Sequence, residues 1–160
     1  MFSRERYSAR VESAVFFVLF WVVLFSGCDT DPGSTGDLRA NWATEYDRYQ
    51  IDSSTISYND GYSNFAGEIK NNPDFTAAYG VIIVEYTTAP SGVTDSFTAV
   101  YWRDLHKDSV LLANAWDFST GIGSATIATA ATYEAAQKKF TQAASETFIY
   151  SWAIKPYLKQ

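Results

Sequence analysis

The sequence predicts a mainly β domain, a small antiparallel barrel or a curled meander sheet, with one helix in its C-terminal half. Three observations carry that prediction. Aromatic residues make up 17% of the chain, with 11 Tyr, 11 Phe and 5 Trp, and such residues favour pleated, half-buried strands. Short apolar or alternating stretches recur between clusters of Asn, Asp, Gly, Pro and Ser. The apolar spacing then switches once, late in the chain, to intervals of three and four.

Taken in order, Trp42 to Ile51 reads as a first strand and Thr55 to Tyr58 as a second, ended by the turn signal Asn59-Asp60-Gly61. In Phe65 to Ile69, the residues Phe65, Gly67 and Ile69 share one face while Ala66 and Glu68 share the other. Asn71-Asn72-Pro73-Asp74 breaks the chain. The stretch Ala78 to Thr87, "AYGVIIVEYT", is apolar on both faces and so belongs in the middle of a sheet. After Ala89-Pro90-Ser91-Gly92, Phe97 to Leu105 alternates, with Phe97, Ala99 and Tyr101 on one side and Thr98, Val100 and Trp102 on the other. Val110 to Trp116 follows the polar turn His106-Lys107-Asp108. Connections this short favour antiparallel neighbours, hence a meander.

"FSTGIGSATIATA", beginning at Phe118, reads as a loop with a short strand. Thr132 is placed to cap a helix with Glu134 in its first turn, and Tyr133, Ala136, Phe140 and Ala143 or Ala144 form one apolar stripe. Phe148 to Ile154 reads as a final strand stopped by Pro156. Strand edges need closing or covering, which a barrel does. From Arg39 to Ile154 the order resembles that of lipocalin-like domains, whose first strand carries an early tryptophan; Trp42 takes that place here. A two-sheet sandwich satisfies the same pattern.

Ahead of this domain lies a different kind of sequence. Arg4, Arg6 and Arg10, with Glu5 and Glu12, precede an apolar run from Ala14 to Phe25. At about 1.5 Å per residue such a helix covers roughly 18 Å, short of the ~30 Å hydrocarbon core. A basic start and a short apolar core instead match a secretory signal peptide. Its end, Leu24-Phe25-Ser26-Gly27-Cys28, resembles the lipobox of bacterial lipoproteins, with Phe25 where Leu is usual. That resemblance implies cleavage between Gly27 and Cys28 and acylation of Cys28, with attachment to the inner or outer membrane of the envelope. Residues 1–27 are then a removed leader, 28–37 a polar acylated tether, "CDTDPGSTGD", and 38–160 a single β-rich domain. Cys28 is the only cysteine, so no disulfide is available and acylation consumes a thiol that has no partner within the chain.

The formal net charge is −6, and the leader takes away three arginines against two glutamates, so the remainder is more acidic still. Acidity without a Lys/Arg cluster beyond Lys138-Lys139 argues against nucleic acid. One histidine and one cysteine exclude Cys/His and multi-histidine metal sites, and no cofactor is expected. His106 has no Gly-x-Ser-x-Gly elbow to serve, and Gly121-Ile122-Gly123 lacks the third glycine of a dinucleotide loop. Glu68 with Glu85, or Asp104 with Asp108, would be the pairs for a carboxylate hydrolase, with Glu85 on the wet face or paired, Arg103 being one partner. Carboxylates alternating with apolar residues more often mark a solvated face, so no catalysis is expected.

Tyr79, Tyr86, Tyr101, Trp102 and Trp116 are the candidate surface for a small hydrophobic ligand or a protein partner, core filling being the competing role. The expected function is a membrane-anchored, non-catalytic binding domain, holding a small hydrophobic ligand or engaging a protein with a solid core. A hydrolase using paired carboxylates ranks third.

Overall fold

The computed structural model describes residues 36–149 and 156–160. The leader, Cys28 and most of the tether lie outside the described residues. Eight antiparallel strands close into a barrel in the order β1-β10-β7-β6-β5-β4-β3-β2. The first seven form a meander: β1 Asn41–Ala43, β2 Arg48–Ile51, β3 Thr55–Asn59, β4 Asn64–Ile69, β5 Gly80–Thr88, β6 Phe97–Arg103 and β7 Ser109–Asn114. The chain then leaves the barrel. It forms a two-stranded ribbon, β8 Trp116–Asp117 with β9 Thr126–Ile127, around a 3-10 turn at Ile122–Ser124. Helix α1, Tyr133–Lys139, a 3-10 turn and helix α2, Ser145–Phe148, follow. Finally β10, Tyr157–Lys159, inserts between β7 and β1.

The barrel reading is correct, and the sandwich is not formed. Three details differ from the sequence reading. The stretch Trp42 to Ile51 is two strands, because Thr44 and Asp47 close a tight turn: the Thr44 N–H donates to the Asp47 carbonyl at 2.9 Å and the Thr44 hydroxyl accepts from Asp47 N–H at 3.0 Å. Val110 to Trp116 is likewise divided, with Trp116 in the ribbon and Asn114 taking the last inward position of β7. Phe148 ends a helix and Ile149 is in no strand; the rest of that expected strand, residues 150–154, lies outside the described residues. The closing strand comes after Pro156, which stands immediately before β10, where its missing N–H is harmless.

Period-two alternation sorts each strand into an inward and an outward row. Inward residues from all eight barrel strands, among them Trp42, Tyr49, Ile56, Phe65, Ile82, Trp102, Leu112 and Tyr157, form one contiguous buried cluster. Eight strands enclose just enough space for side chains to fill.

A second cluster lies outside the wall. Ile83, Phe97, Ala99 and Tyr101 face outward from β5 and β6 and pack under Ala136 and Phe140. This is why "GVIIVEY" is apolar on both faces: one lines the barrel and the other lies under the helical segment. Thr132 caps α1 as expected, its hydroxyl accepting from Ala135 N–H. The outer face of β1 to β4 has no such cover among the described residues.

Candidate functional site

An antiparallel meander sends alternate turns to opposite ends of the barrel. The β2–β3, β4–β5 and β6–β7 connections, with Leu38, close one end. Trp42 is fully buried, and its indole N–H donates to the Leu38 carbonyl at 2.7 Å. Leu38 N–H in turn donates to the Phe75 carbonyl at 2.8 Å. Trp102 donates to the Ala77 carbonyl at 3.0 Å and packs over Gly80, where any Cβ would collide with its ring. Gly36 tucks against the His106 carbonyl, again where a Cβ would not fit. Both indole N–H groups of this end are satisfied by backbone, and the result is an apolar plug.

The other end is built from tyrosines. Tyr157, Tyr49, Tyr58, Phe65 and Tyr86 form a chain of rings with successive centroid separations of 5.2, 4.7, 5.5 and 5.7 Å. The hydroxyls of Tyr49, Tyr58 and Tyr157 meet acceptors from β7 and from the turns at that end. Tyr49 donates to Asn114 Oδ1 at 2.7 Å, Tyr157 to Asp47 Oδ2 at 2.8 Å, and Tyr58 to Asp60 Oδ2 at 3.1 Å. Asp60 also organises the β3–β4 turn, its Oδ1 accepting from the N–H groups of Tyr62 and Ser63, while Gly61 takes the left-handed φ of +83° that the turn requires.

The electrostatics follow from that packing. Burial raises the Tyr49 pKa well above the usual phenol value, and nearby Tyr157, Tyr58, Asp47 and Asp60 push it the same way. Burial is also the main reason Tyr58 and Tyr157 are raised, with Asp47 and Asp60 adding repulsion against a phenolate. Burial pushes Tyr86 up to about 12, partly offset by the Thr98 hydroxyl. For Asp60 burial works upward, but the N–H groups of Ser63 and Tyr62 and the Tyr58 hydroxyl outweigh it, so its pKa is lowered. The arrangement therefore favours the protonated phenols of Tyr58 and Tyr157 as donors to the Asp60 and Asp47 side chains. It is suited to fixing structure or binding, since neutral phenols of this kind are poor bases.

The five aromatics singled out from the sequence occupy different places. Tyr79 is exposed in the β4–β5 connection. Tyr86 is half-buried at the tyrosine end. Tyr101 is buried between the barrel wall and the helical segment, its hydroxyl without a partner. Trp102 plugs the opposite end, and Trp116 is half-buried in the ribbon. The carboxylates are equally informative. Glu68 and Glu85 are opposite each other in the β4–β5 register on the outer wall, both bridged by Lys70 at 3.3 and 2.9 Å. Glu85 thus takes the wet face with Lys70 as its partner, and Arg103 lies 3.6 Å from Asp104 instead. His106 is exposed in the β6–β7 turn. Among the described residues, no group of three or more His, Cys, Asp or Glu side chains is arranged to hold a metal ion.

Sequence reasoning missed Tyr49, Tyr58, Tyr157, Asp47, Asp60 and Asn114. It also missed a depression of about 470 Å³ on the uncovered wall, where Asn41, Arg48, Gln50, Ser57 and Asn59 face outward from β1 to β3. The signal was present: "RYQI" and "TISYN" alternate cleanly once the turn at Thr44–Asp47 is recognised. No family model, no curated protein and no solved structure matches the chain.

Proposed function

We propose that this chain is a lipid-anchored, non-catalytic binding module of the bacterial envelope, and that it engages its partner on the outside of the barrel. The observation that carries this reading is the occupied interior. Inward side chains from all eight barrel strands pack as one cluster, and its largest members, Trp42, Trp102 and Tyr49, are almost wholly buried. A fatty acid or sterol entering the barrel would have to displace that packing, losing several kcal/mol for each large side chain moved, about 3–5 kcal/mol on the scale of aromatic truncations. The outer wall of β1 to β4 is, in contrast, uncovered among the described residues and furnished with polar side chains.

The anchoring half of the reading rests on Leu24 to Cys28 and on the absence of any second cysteine. One acyl chain gives only marginal attachment, and the two or three chains of a lipoprotein cysteine give stable anchoring. A lipocalin-like lineage is supported by the eight-strand closure and by Trp42 on the first strand, as a likeness of architecture. A carboxylate hydrolase is disfavoured because Lys70 ties Glu68 and Glu85 together on the solvated wall.

The test is tryptophan fluorescence of the full chain titrated with palmitate and with cholesterol. Flat titrations are expected, while saturable quenching would overturn the external-binding reading. For the anchor, Cys28→Ala is expected to abolish labelling by radioactive palmitate and to leave unprocessed precursor. A labelled, processed variant would refute it.

A further inference from the structure

We infer that the uncovered wall of β1 to β3 is a binding groove for a neutral, polyhydroxylated ligand, an oligosaccharide. This inference rests on the external-binding reading above and names its ligand class.

The register sets the groove out in two rows across three strands. Asn41 pairs with Gln50 and Gln50 with Ser57, while Ala43 pairs with Arg48 and Arg48 with Asn59. All these side chains point outward, because Trp42, Tyr49, Ile51, Ile56 and Tyr58 take the inward positions between them. Cross-strand neighbours stand about 5 Å apart, a spacing on the scale of one pyranose ring. Among the described contacts, the side chains of Asn41, Gln50 and Ser57 make no hydrogen bond within the protein. Asn59 uses only its Oδ1, which accepts from Gly61 N–H at 2.7 Å. Gln160 adds another amide at the margin. An amide offers donors and acceptors together, which is what a sugar hydroxyl, itself donor and acceptor, requires.

The charge distribution agrees. The chain is acidic, yet no Asp or Glu side chain lines this groove, and Arg48 is the one charged side chain among its lining residues. Arg48 disfavours a cationic ligand, and a purely apolar one would strand the amides unpaired. The strands are also fully paired within the closed barrel, so a peptide has no backbone edge to extend.

Two exposed rings stand in turns at one end of these strands. Tyr46 is 75% exposed in the β1–β2 turn and Tyr62 fully so in the β3–β4 turn. These turns adjoin, since Asp47 and Asp60 both act on Tyr58. Rigid, amphipathic tyrosine rings at the end of an amide-lined groove suit the apolar faces of sugar rings.

The experiment titrates the full chain with chitotetraose, cellotetraose and mannotetraose while following backbone and side-chain amide signals by NMR. At least one sugar is expected to shift the side-chain NH₂ resonances of Asn41, Gln50 and Asn59 in a saturable way. Gln50→Ala, a substitution that removes no hydrogen bond among the described contacts, is expected to weaken binding about fivefold, and Lys138→Ala on the covered side to leave it unchanged. No shift with any sugar, shifts confined to another face, or undiminished binding by Gln50→Ala would overturn the inference. Those outcomes leave the external-binding reading intact, because that reading falls only to saturable palmitate or cholesterol quenching.

Discussion

The two ends of this barrel are closed by opposite means. At one, indole N–H groups of Trp42 and Trp102 reach backbone carbonyls of Leu38 and Ala77, and nothing in that pairing titrates. At the other, the hydroxyls of Tyr49, Tyr58 and Tyr157 reach side chains of Asn114, Asp60 and Asp47. The indole groups of the first end are satisfied through main chain, whose position is set by the strands, and the hydroxyls of Tyr49, Tyr58 and Tyr157 at the second through side chains carried on β7 and on turns. The difference teaches where this fold is rigid and where its stability depends on protonation.

The comparison can be broken most severely at the tryptophan end. Trp42→Ala is expected to destabilise by about 3–5 kcal/mol, read as a lowered urea midpoint, because it empties the plug and leaves the Leu38 carbonyl without its donor. A loss below 1 kcal/mol would show that the plug is dispensable.

Raising the pH attacks the tyrosine end and leaves the tryptophan pairing untouched. Unfolded tyrosines ionise near pH 10 (about 10 for the free side chain), whereas Tyr49, Tyr58 and Tyr157 are held protonated above that by burial and by Asp47 and Asp60. Because the folded state keeps protons that the unfolded state loses, stability is fully present below about pH 10 and falls as pH rises beyond it. Hydrogen exchange should show β2 and β3 amides losing protection before those of Leu38 and Leu105. Simultaneous loss at both ends would contradict the asymmetry.

Two conservative substitutions sharpen it further. Tyr49→Phe strands Asn114, a buried amide at 4% exposure, and is expected to cost about 1–3 kcal/mol. Tyr101→Phe removes a buried hydroxyl that has no partner, so thermal melting should show stability unchanged or slightly raised. Equal losses from the two would mean that the hydrogen-bond assignment, and with it the distinction between the ends, is wrong.

Much of the architecture was legible in the residues. The double alternation of Phe97 to Trp102, one row inward and one under the helix, survives intact in β6. Thr132 caps its helix. What escaped was phase. Trp42 and Tyr49 are an odd number of positions apart, so a continuous strand would put them on opposite faces; the turn at Thr44–Asp47 resets the count and points both inward. The tyrosine end was hidden by that slip, and by Tyr157 arriving from more than a hundred residues away to meet Asp47. No local pattern announces such a contact. The outward amides of β1 to β3 were visible as polar residues, but only the register shows them as two rows.

The three residues of β10 carry a responsibility out of proportion to their number. They join β1 to β7, the two margins of a curled sheet that is otherwise unsealed. Until Tyr157, Leu158 and Lys159 slot in, each margin offers bare N–H and C=O groups to any neighbouring chain. A folding chain would therefore pass through a sticky, half-rolled stage, and completion of the roll is what would let crowded copies ignore one another.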